Sequence, residues 1–199
     1  MSKSVKSILL AGVGGQGTLL ASEVLSEVLM LAGYDVKKSE IHGMSQRGGS
    51  VTSHVRWGEK VFSPLIPEGE ADILFGFELL ETYRCISMLR PGGTVVVNNL
   101  KIAPGPVATG QAKYTEGIPE KVAALVADTT IVDGMQLAME AGNYRTVNTV
   151  LLGALSTRMD IDEPLWKQAI EKLVPGRFLA ENLKAFELGR NCQETSQEG

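Results

Sequence analysis

Four of the six residues Gly12-Val13-Gly14-Gly15-Gln16-Gly17 are glycine, and they join an apolar run, Ile8 to Ala11, to a long amphipathic segment. Such a stretch reads as the turn between a buried strand and a helix. Glycines there allow positive φ and let another group approach the main chain. The unpaired N–H groups of the helix start, with its dipole, favour an anion. From Thr18 to Ala32 the apolar residues Leu20, Val24, Leu25, Val28, Leu29 and Ala32 share one helical face, and Ser22, Glu23, Ser26 and Glu27 the other. Gly33 stops that helix. A strand over Tyr34 to Ser39 completes a β-α-β unit with a right-handed crossover, and hence a parallel sheet.

A second glycine-rich loop follows, His42-Gly43-Met44-Ser45-Gln46-Arg47-Gly48-Gly49. Beyond it Val51, Ser53, Val55 and Trp57 alternate with Thr52, His54 and Arg56, the period of a strand. Gly58-Glu59-Lys60 is expected to turn this strand into a hairpin with Val61 to Ser63, which Pro64 and Pro67 end. The pattern then predicts a strand over Ala71 to Phe77, a helix from Glu78 to Leu89 stopped by Arg90-Pro91-Gly92-Gly93, and a central strand over Thr94 to Asn98. Lys101 to Gly110 reads as an ordered surface connection, Gln111 to Thr115 as a short strand, Ile118 to Ala127 as a helix and Thr130 to Asp133 as a strand. Helices are expected over Gly134 to Ala141, Thr146 to Arg158, Pro164 to Val174 and Arg177 to Leu188. The order points to an α/β fold: a doubly wound, Rossmann-like, mostly parallel sheet with an antiparallel hairpin and carboxyl-terminal helices. One domain is expected over residues 1–190, with a polar tail at 191–199. Ligands of such sheets bind outside the carboxyl ends of the strands, so both glycine loops are expected to share one crevice.

Composition narrows the chemistry. A net charge of −4 over 199 residues, without a basic run, argues against nucleic acid as a partner. The apolar run near the amino terminus is broken by glycines too soon for a signal peptide or membrane span, so a cytoplasmic protein without membrane contact is expected. Two isolated cysteines, Cys85 and Cys192, support neither a disulfide scaffold nor a metal site. Gly12, Gly14 and Gly17 satisfy GxGxxG, but Asp35 and Glu40 flank the position where a ribose-binding acid belongs. A bound dinucleotide and a merely tight turn both stay open. His42, Gln46 and Arg47 could set a guanidinium against a phosphate or carboxylate, or could order the loop around an internal ion pair. His54 and Arg56 read first as the solvated side of a hairpin, and Cys85 as a small buried residue. Neither a Ser-His-Asp set nor paired carboxylates can be picked out.

Three ordered motifs are more specific: Gly12 to Gly17; Ser39-Glu40-Ile41-His42-Gly43-Met44-Ser45-Gln46-Arg47-Gly48-Gly49-Ser50-Val51; and Gly142-Asn143-Tyr144-Arg145-Thr146-Val147-Asn148 leading to Leu152-Gly153-Ala154-Leu155. Together, over roughly residues 6–158, they resemble the gamma-type subunits of the 2-oxoacid:ferredoxin oxidoreductases, most of all the beta subunits of the indolepyruvate enzymes. The Gly69 to Asp72 and Glu78 to Glu81 stretches fit as well. The resemblance implies oxidative decarboxylation of an arylpyruvate with coenzyme A as co-substrate. It places thiamine diphosphate and the iron–sulfur clusters in a large alpha partner subunit, with ferredoxin reached through that partner, and two isolated cysteines agree. It implies catalytic roles for His42 and Arg47, and cofactor contacts from Gly12, Gly14, Gly15, Gln16, Gly17, Thr18 and Arg56, with Lys38 a lesser contributor. The isolated chain is expected to be inactive and able to self-associate as a homodimer. The competing expectation is a free-standing Rossmann-like protein that binds NAD or FAD.

Overall fold

The computed structural model describes residues 5–42 and 49–192, with His42 described by its backbone alone. Arg47, Gln46 and the tail from Gln193 lie outside the described residues. Strand β1 (Lys6–Val13) is buried beyond its first residue, and its alternation divides the core. Ile8 and Leu10 face one apolar cluster and Leu9 and Ala11 the other, so both faces of the strand are covered. Helix α1 (Thr18–Leu31) lays Ala21, Val24, Leu25, Val28 and Leu29 into the first cluster. It ends where Gly33, at φ 82°, lets the Gly33 and Tyr34 N–H groups donate back to Met30 and Leu29.

The remaining elements are β2 (Asp35–His42), β3 (Ser50–Gly58), β4 (Ala71–Gly76), α2 (Leu79–Arg84), β5 (Leu89–Asn98), α3 (Gly105–Ala108), α4 (Ile118–Leu125), β6 (Asp128–Val132), α5 (Gly134–Ala141), α6 (Val147–Ser156), α7 (Glu163–Leu173) and α8 (Leu179–Arg190). The sheet has six strands in the order β2-β3-β1-β4-β5-β6. Among its described strands only β3 runs against the rest. Helices α1, α6, α7 and α8 cover one face, where Trp166 stacks on Phe186 with ring centroids 6.0 Å apart. Helices α2 and α4 cover the other.

The doubly wound α/β reading holds, while four local expectations change. Strand β2 does not lie beside β1, because β3 is inserted between them. Residue chemistry explains the exchange: β3 carries Val51, Val55 and Trp57 and is buried along most of its length. β2, with Lys37, Lys38 and Glu40, suits an exposed edge that should not pair further. The expected hairpin from Ser50–Trp57 into Val61–Ser63 does not form. Side chains take the backbone groups that it would have paired: Asp35 Oδ2 accepts from Val61 N–H at 2.9 Å, and Arg56 Nη1 donates to the Ser63 and Leu65 carbonyls at 3.1 and 3.0 Å. The antiparallel hairpin is instead β2–β3, joined through the second glycine loop. Arg90-Pro91-Gly92-Gly93 does not end an element but forms an irregularity within β5, where the pairing skips from Ala71–Leu89 to Ile73–Thr94. Gln111–Thr115 is no strand, since the N–H groups of Gln111 and Ala112 close onto the Pro106 carbonyl.

His54 is likewise no part of a solvated face. It is buried, and its Nδ1 accepts from the Ile66 N–H at 3.1 Å, holding the loop between β3 and β4 against the sheet. Burial lowers its pKa from 6.5. Below that value the unfolded chain binds the proton first, so the contribution is complete above pH 6.5 and is lost as pH falls toward the depressed folded value. Protonation would also remove the acceptor for Ile66. Thermal melts at successive pH values from 7.5 to 5.5 are expected to fall more steeply for the wild type than for His54→Gln. Parallel slopes would exclude His54 as a source of the acid sensitivity.

Candidate functional site

The carboxyl ends of the parallel strands gather the sequence motifs. The Gly14 N–H donates to the Gly49 carbonyl at 3.0 Å, so the glycine turn is tied directly to the exit of the second glycine loop. The pairs Val13–Ser50 and His42–Val51 put both ends of that loop at the same edge of the sheet. The described ends of the second glycine loop therefore meet the glycine turn, while residues 43–48 lie outside the described residues.

Within the turn each residue has a definite task. Gly12 is enclosed: a Cβ there would lie 2.9 to 3.0 Å from Gln16 Oε1, Phe77 Cβ and Thr18 Cγ2. Gly15 and Gly17 stand at φ 99° and 77°, a region that side-chain-bearing residues rarely enter. Gln16 turns inward rather than toward a ligand. Its Oε1 accepts from the Val13 N–H at 2.7 Å and its Nε2 donates to the Phe77 carbonyl at 2.9 Å, which locks the turn to the tip of β4. Thr18 is buried, and no side chain caps α1, so the N–H groups of its first turn keep their donor capacity.

The other strand ends are fastened in the same way. Buried Asn98 donates to the Phe77 carbonyl at 3.3 Å and accepts from the Gly134 N–H at 3.1 Å, joining β4, β5 and the start of α5. Glu78, 1% exposed, accepts from the N–H groups of Glu81 and Ile102 and from the Tyr114 hydroxyl. It thus pins the segment that includes α3 across the top of β4. Burial, with the hydrogen bond to Glu78, pushes the Tyr114 hydroxyl far up, so it remains a donor.

Between these tips opens a cleft of about 540 Å³, bounded by Gly15, Gln16 and Gly17, the apolar side chains of Leu20, Leu100, Met135 and Val147, and the polar trio Tyr144, Arg145 and Asn148. The trio comes from the Gly142-to-Asn148 motif, whose local fold is set by capping. Gly142, at φ 105°, ends α5, and Asn143 Oδ1 accepts from the Arg145 N–H at 3.0 Å to start the next turn. Tyr144 and Arg145 were not among the residues expected to act. An exposed aromatic–arginine pair directly before a helix start, in a segment already singled out, was the signal for them. A smaller cavity of about 180 Å³ lies at the opposite end of the sheet. Two of its cations are matched there, Arg90 by Asp72 and Arg158 by Asp128.

Two expected contacts are not brought to the crevice. Arg56 pairs in register with Ser7, six positions from Val13 along β1, or roughly 20 Å at about 3.3 Å per residue. Its guanidinium is engaged with the loop after β3. Lys38 forms an ion pair with Glu40 at 3.1 Å. Cys85 is largely enclosed, and burial pushes its thiol up to about 11, which disfavours a nucleophilic or metal-binding thiolate. Among the described residues no group of three or more His, Cys, Asp and Glu could hold a metal ion, and no helix is long and apolar enough to cross a membrane.

Known proteins resemble this chain in sequence and in fold. Indolepyruvate oxidoreductase subunit IorB of Thermococcus kodakarensis is 42% identical over 189 residues, 92% of this chain and 93% of the relative. The fold matches that of pyruvate oxidoreductase subunit PORC from Thermotoga maritima, with a TM-score of 0.71 at 20% identity, covering 95% of this chain and 96% of that one. It also matches 2-oxoglutarate:ferredoxin oxidoreductase from Magnetococcus marinus, a structure with 2-oxoglutarate, coenzyme A and succinyl-CoA bound. There the TM-score is 0.72 at 24% identity, over 96% of this chain and 32% of the longer one. Residues 7–192 match the model of the pyruvate ferredoxin/flavodoxin oxidoreductase family, and the chain belongs to that family.

Proposed function

We propose that this chain is a subunit of a 2-oxoacid:ferredoxin oxidoreductase of the indolepyruvate type, and that its cleft forms the coenzyme A side of an active site completed by a larger partner. The observation that carries the reading is the end-to-end likeness to the Thermococcus subunit. The reaction converts an arylpyruvate, coenzyme A and oxidised ferredoxin into an acyl-CoA, carbon dioxide and reduced ferredoxin. Thiamine diphosphate supplies the decarboxylating chemistry, and iron–sulfur clusters carry the electrons. Both cofactors are assigned to the partner, a reading supported for the clusters by the two cysteines of this chain, Cys85 and Cys192, being too few to ligate one. For coenzyme A the fit is better. The cleft offers the first-turn amides of α1, the Asn148 carboxamide and the Arg145 guanidinium, and among the described residues no acidic side chain lines it. An anion can be held there and water excluded by Leu20, Leu100 and Met135.

Co-expression with the partner is expected to give ferredoxin reduction that needs both indolepyruvate and coenzyme A, while the isolated chain gives none with any 2-oxoacid. Reduction by the isolated chain would refute the subunit role. Arg47, with His42, is assigned to the same anion. In the assembled complex Arg47→Ala should raise the coenzyme A Michaelis constant by about ten- to a hundredfold, the worth of a hydrogen bond to a charged group. Loss of co-purification instead would make the second glycine loop a docking surface and remove the phosphate role. The free-standing nucleotide-binding alternative predicts tight NAD or FAD binding by the chain without its partner.

A further inference from the structure

The cavity of about 180 Å³ at the far end of the sheet brings together the starts of β1, β4 and β5, the end of β3, Tyr34 before β2 and the turn after α6. Its floor is apolar. Trp57 and Ile73 are buried there, and Tyr34, Met159 and Ile161 pack against the same cluster. Around that floor three charged side chains are already matched. Asp72 Oδ1 accepts from Arg90 Nε at 2.8 Å, and Asp72 Oδ2 accepts from the Ser7 N–H at 2.8 Å. Arg158 pairs with Asp128 at 3.4 Å and donates from Nη2 to the Thr130 hydroxyl at 2.6 Å. The two exceptions are Lys6 and Asp160, both exposed at the mouth, and neither side chain has a hydrogen bond or ion pair among the described residues. They have opposite signs. A simple anion would answer Lys6 but be repelled by Asp160, and a simple cation would meet the reverse.

From this arrangement we propose a second ligand site, remote from the cleft, that takes a short aliphatic α-amino acid. The ligand's carboxylate faces the Lys6 ammonium, its ammonium faces the Asp160 carboxylate, and its side chain enters the space over Trp57 and Ile73. Size sets a limit: at about 30 Å³ for each water-sized atom, the cavity holds roughly six non-hydrogen atoms. That suits the side chain of valine and excludes an indole. Because both charges lie at an exposed mouth, each ion pair is weak, and an affinity of about 1 mM is expected. The site is independent of the cleft and its ligand, since Lys6 and Gly12 stand at opposite ends of β1.

Titration of the purified chain with valine, isovalerate, isobutylamine and tryptophan, followed by the magnetic resonance signal of the Trp57 indole N–H, tests it. Isovalerate is valine without its ammonium, and isobutylamine is valine without its carboxylate. Valine is expected to bind best, with each analogue about fivefold weaker, the upper end of what an exposed ion pair contributes. Lys6→Gln should weaken valine about fivefold and leave isobutylamine unchanged, whereas Asp160→Asn should weaken valine as much and leave isovalerate no weaker. Melting temperature serves as the control for folding. A Trp57 signal that does not move with valine up to about 50 mM overturns the site. So does equal valine binding by the wild type and the folded Lys6→Gln and Asp160→Asn variants. Isovalerate binding as tightly as valine would make this an anion site and overturn the amino acid assignment. Tryptophan binding more tightly than valine would overturn the restriction to a short side chain.

Discussion

Gly189→Ala is expected to destabilise this protein far more than the addition of a single methyl group ordinarily does. Helices α6 and α8 cross so closely that a Cβ on Gly189 would lie 1.9 Å from the Val150 carbonyl oxygen, and one on Gly153 would lie 2.1 Å from the Phe186 carbonyl oxygen. Each obstacle is helix backbone, which cannot rotate away as a side chain would, so the two helices must separate. Separation would open the cluster in which Val150, Leu151, Ala154, Leu155, Ala185 and Phe186 are buried, and would shift the Trp166–Phe186 stack. Overpacking usually costs about 1–3 kcal/mol, and a clash with backbone belongs at or above the top of that range. Set against a total of about 5–15 kcal/mol, that is a large share. Each kilocalorie moves the melting temperature of a chain this size by about 2–4 °C, so Gly189→Ala and Gly153→Ala should each melt roughly 6–12 °C below the wild type. Gly176 is the control, since nothing lies within 4 Å of a Cβ there and its φ is not positive. Gly176→Ala should stay within about 0.5 kcal/mol. If Gly189→Ala melted beside Gly176→Ala, the close crossing would be wrong.

That crossing was partly legible, because Gly153 sits among the apolar residues of a helical face and a glycine there suggests a near neighbour. Its complement, Gly189, carried no such signal: α8 mixes polar and apolar residues with little preference between faces. The same division runs through the chain. Elements whose pattern is local, such as α5, fell where capping and periodicity placed them. The order of strands did not, because inserting β3 between β1 and β2 depends on comparing the burial of two strands across the whole sheet. Alternation could show that β3 is a strand but not how many neighbours it has. At the site, glycine spacing located the turn, and strand polarity predicted that two loops would meet there, as the Gly14–Gly49 bond shows. Side-chain direction was out of reach. Gln16 looked like a ligand contact and is a strut between Val13 and Phe77. Arg56 looked like a candidate cation for the crevice and lies toward the far end of β3. Asn148 is distant in sequence from the turn it faces, and only folding joins it to Gly17.

Gly17→Val brings the turn and that distant helix into one test. At φ 77° any side chain is strained, by about 1–2 kcal/mol for the left-handed region and more for a β-branched residue. The added Cβ would also stand 3.0 Å from Asn148 Nδ2. Asn148 has little room to yield, being buried and bound through Oδ1 to the Thr149 N–H, so the valine methyls should enter the cleft and displace the carboxamide. Strain alone predicts a moderate fall in melting temperature with function kept. Loss of the cleft predicts in addition a drop of about a hundredfold in coenzyme A-dependent turnover of the assembled complex, the usual cost of misplacing a binding group by about an ångström. Gly33→Val separates the two effects. Gly33 has a similar φ of 82° with open space around its Cβ position, and it closes the far end of the same helix. It should share the stability loss and spare the turnover. Equal turnover in the two variants would mean that the Gly17–Asn148 contact does not shape the site, and the anion would then have to be held by the second glycine loop or by the partner.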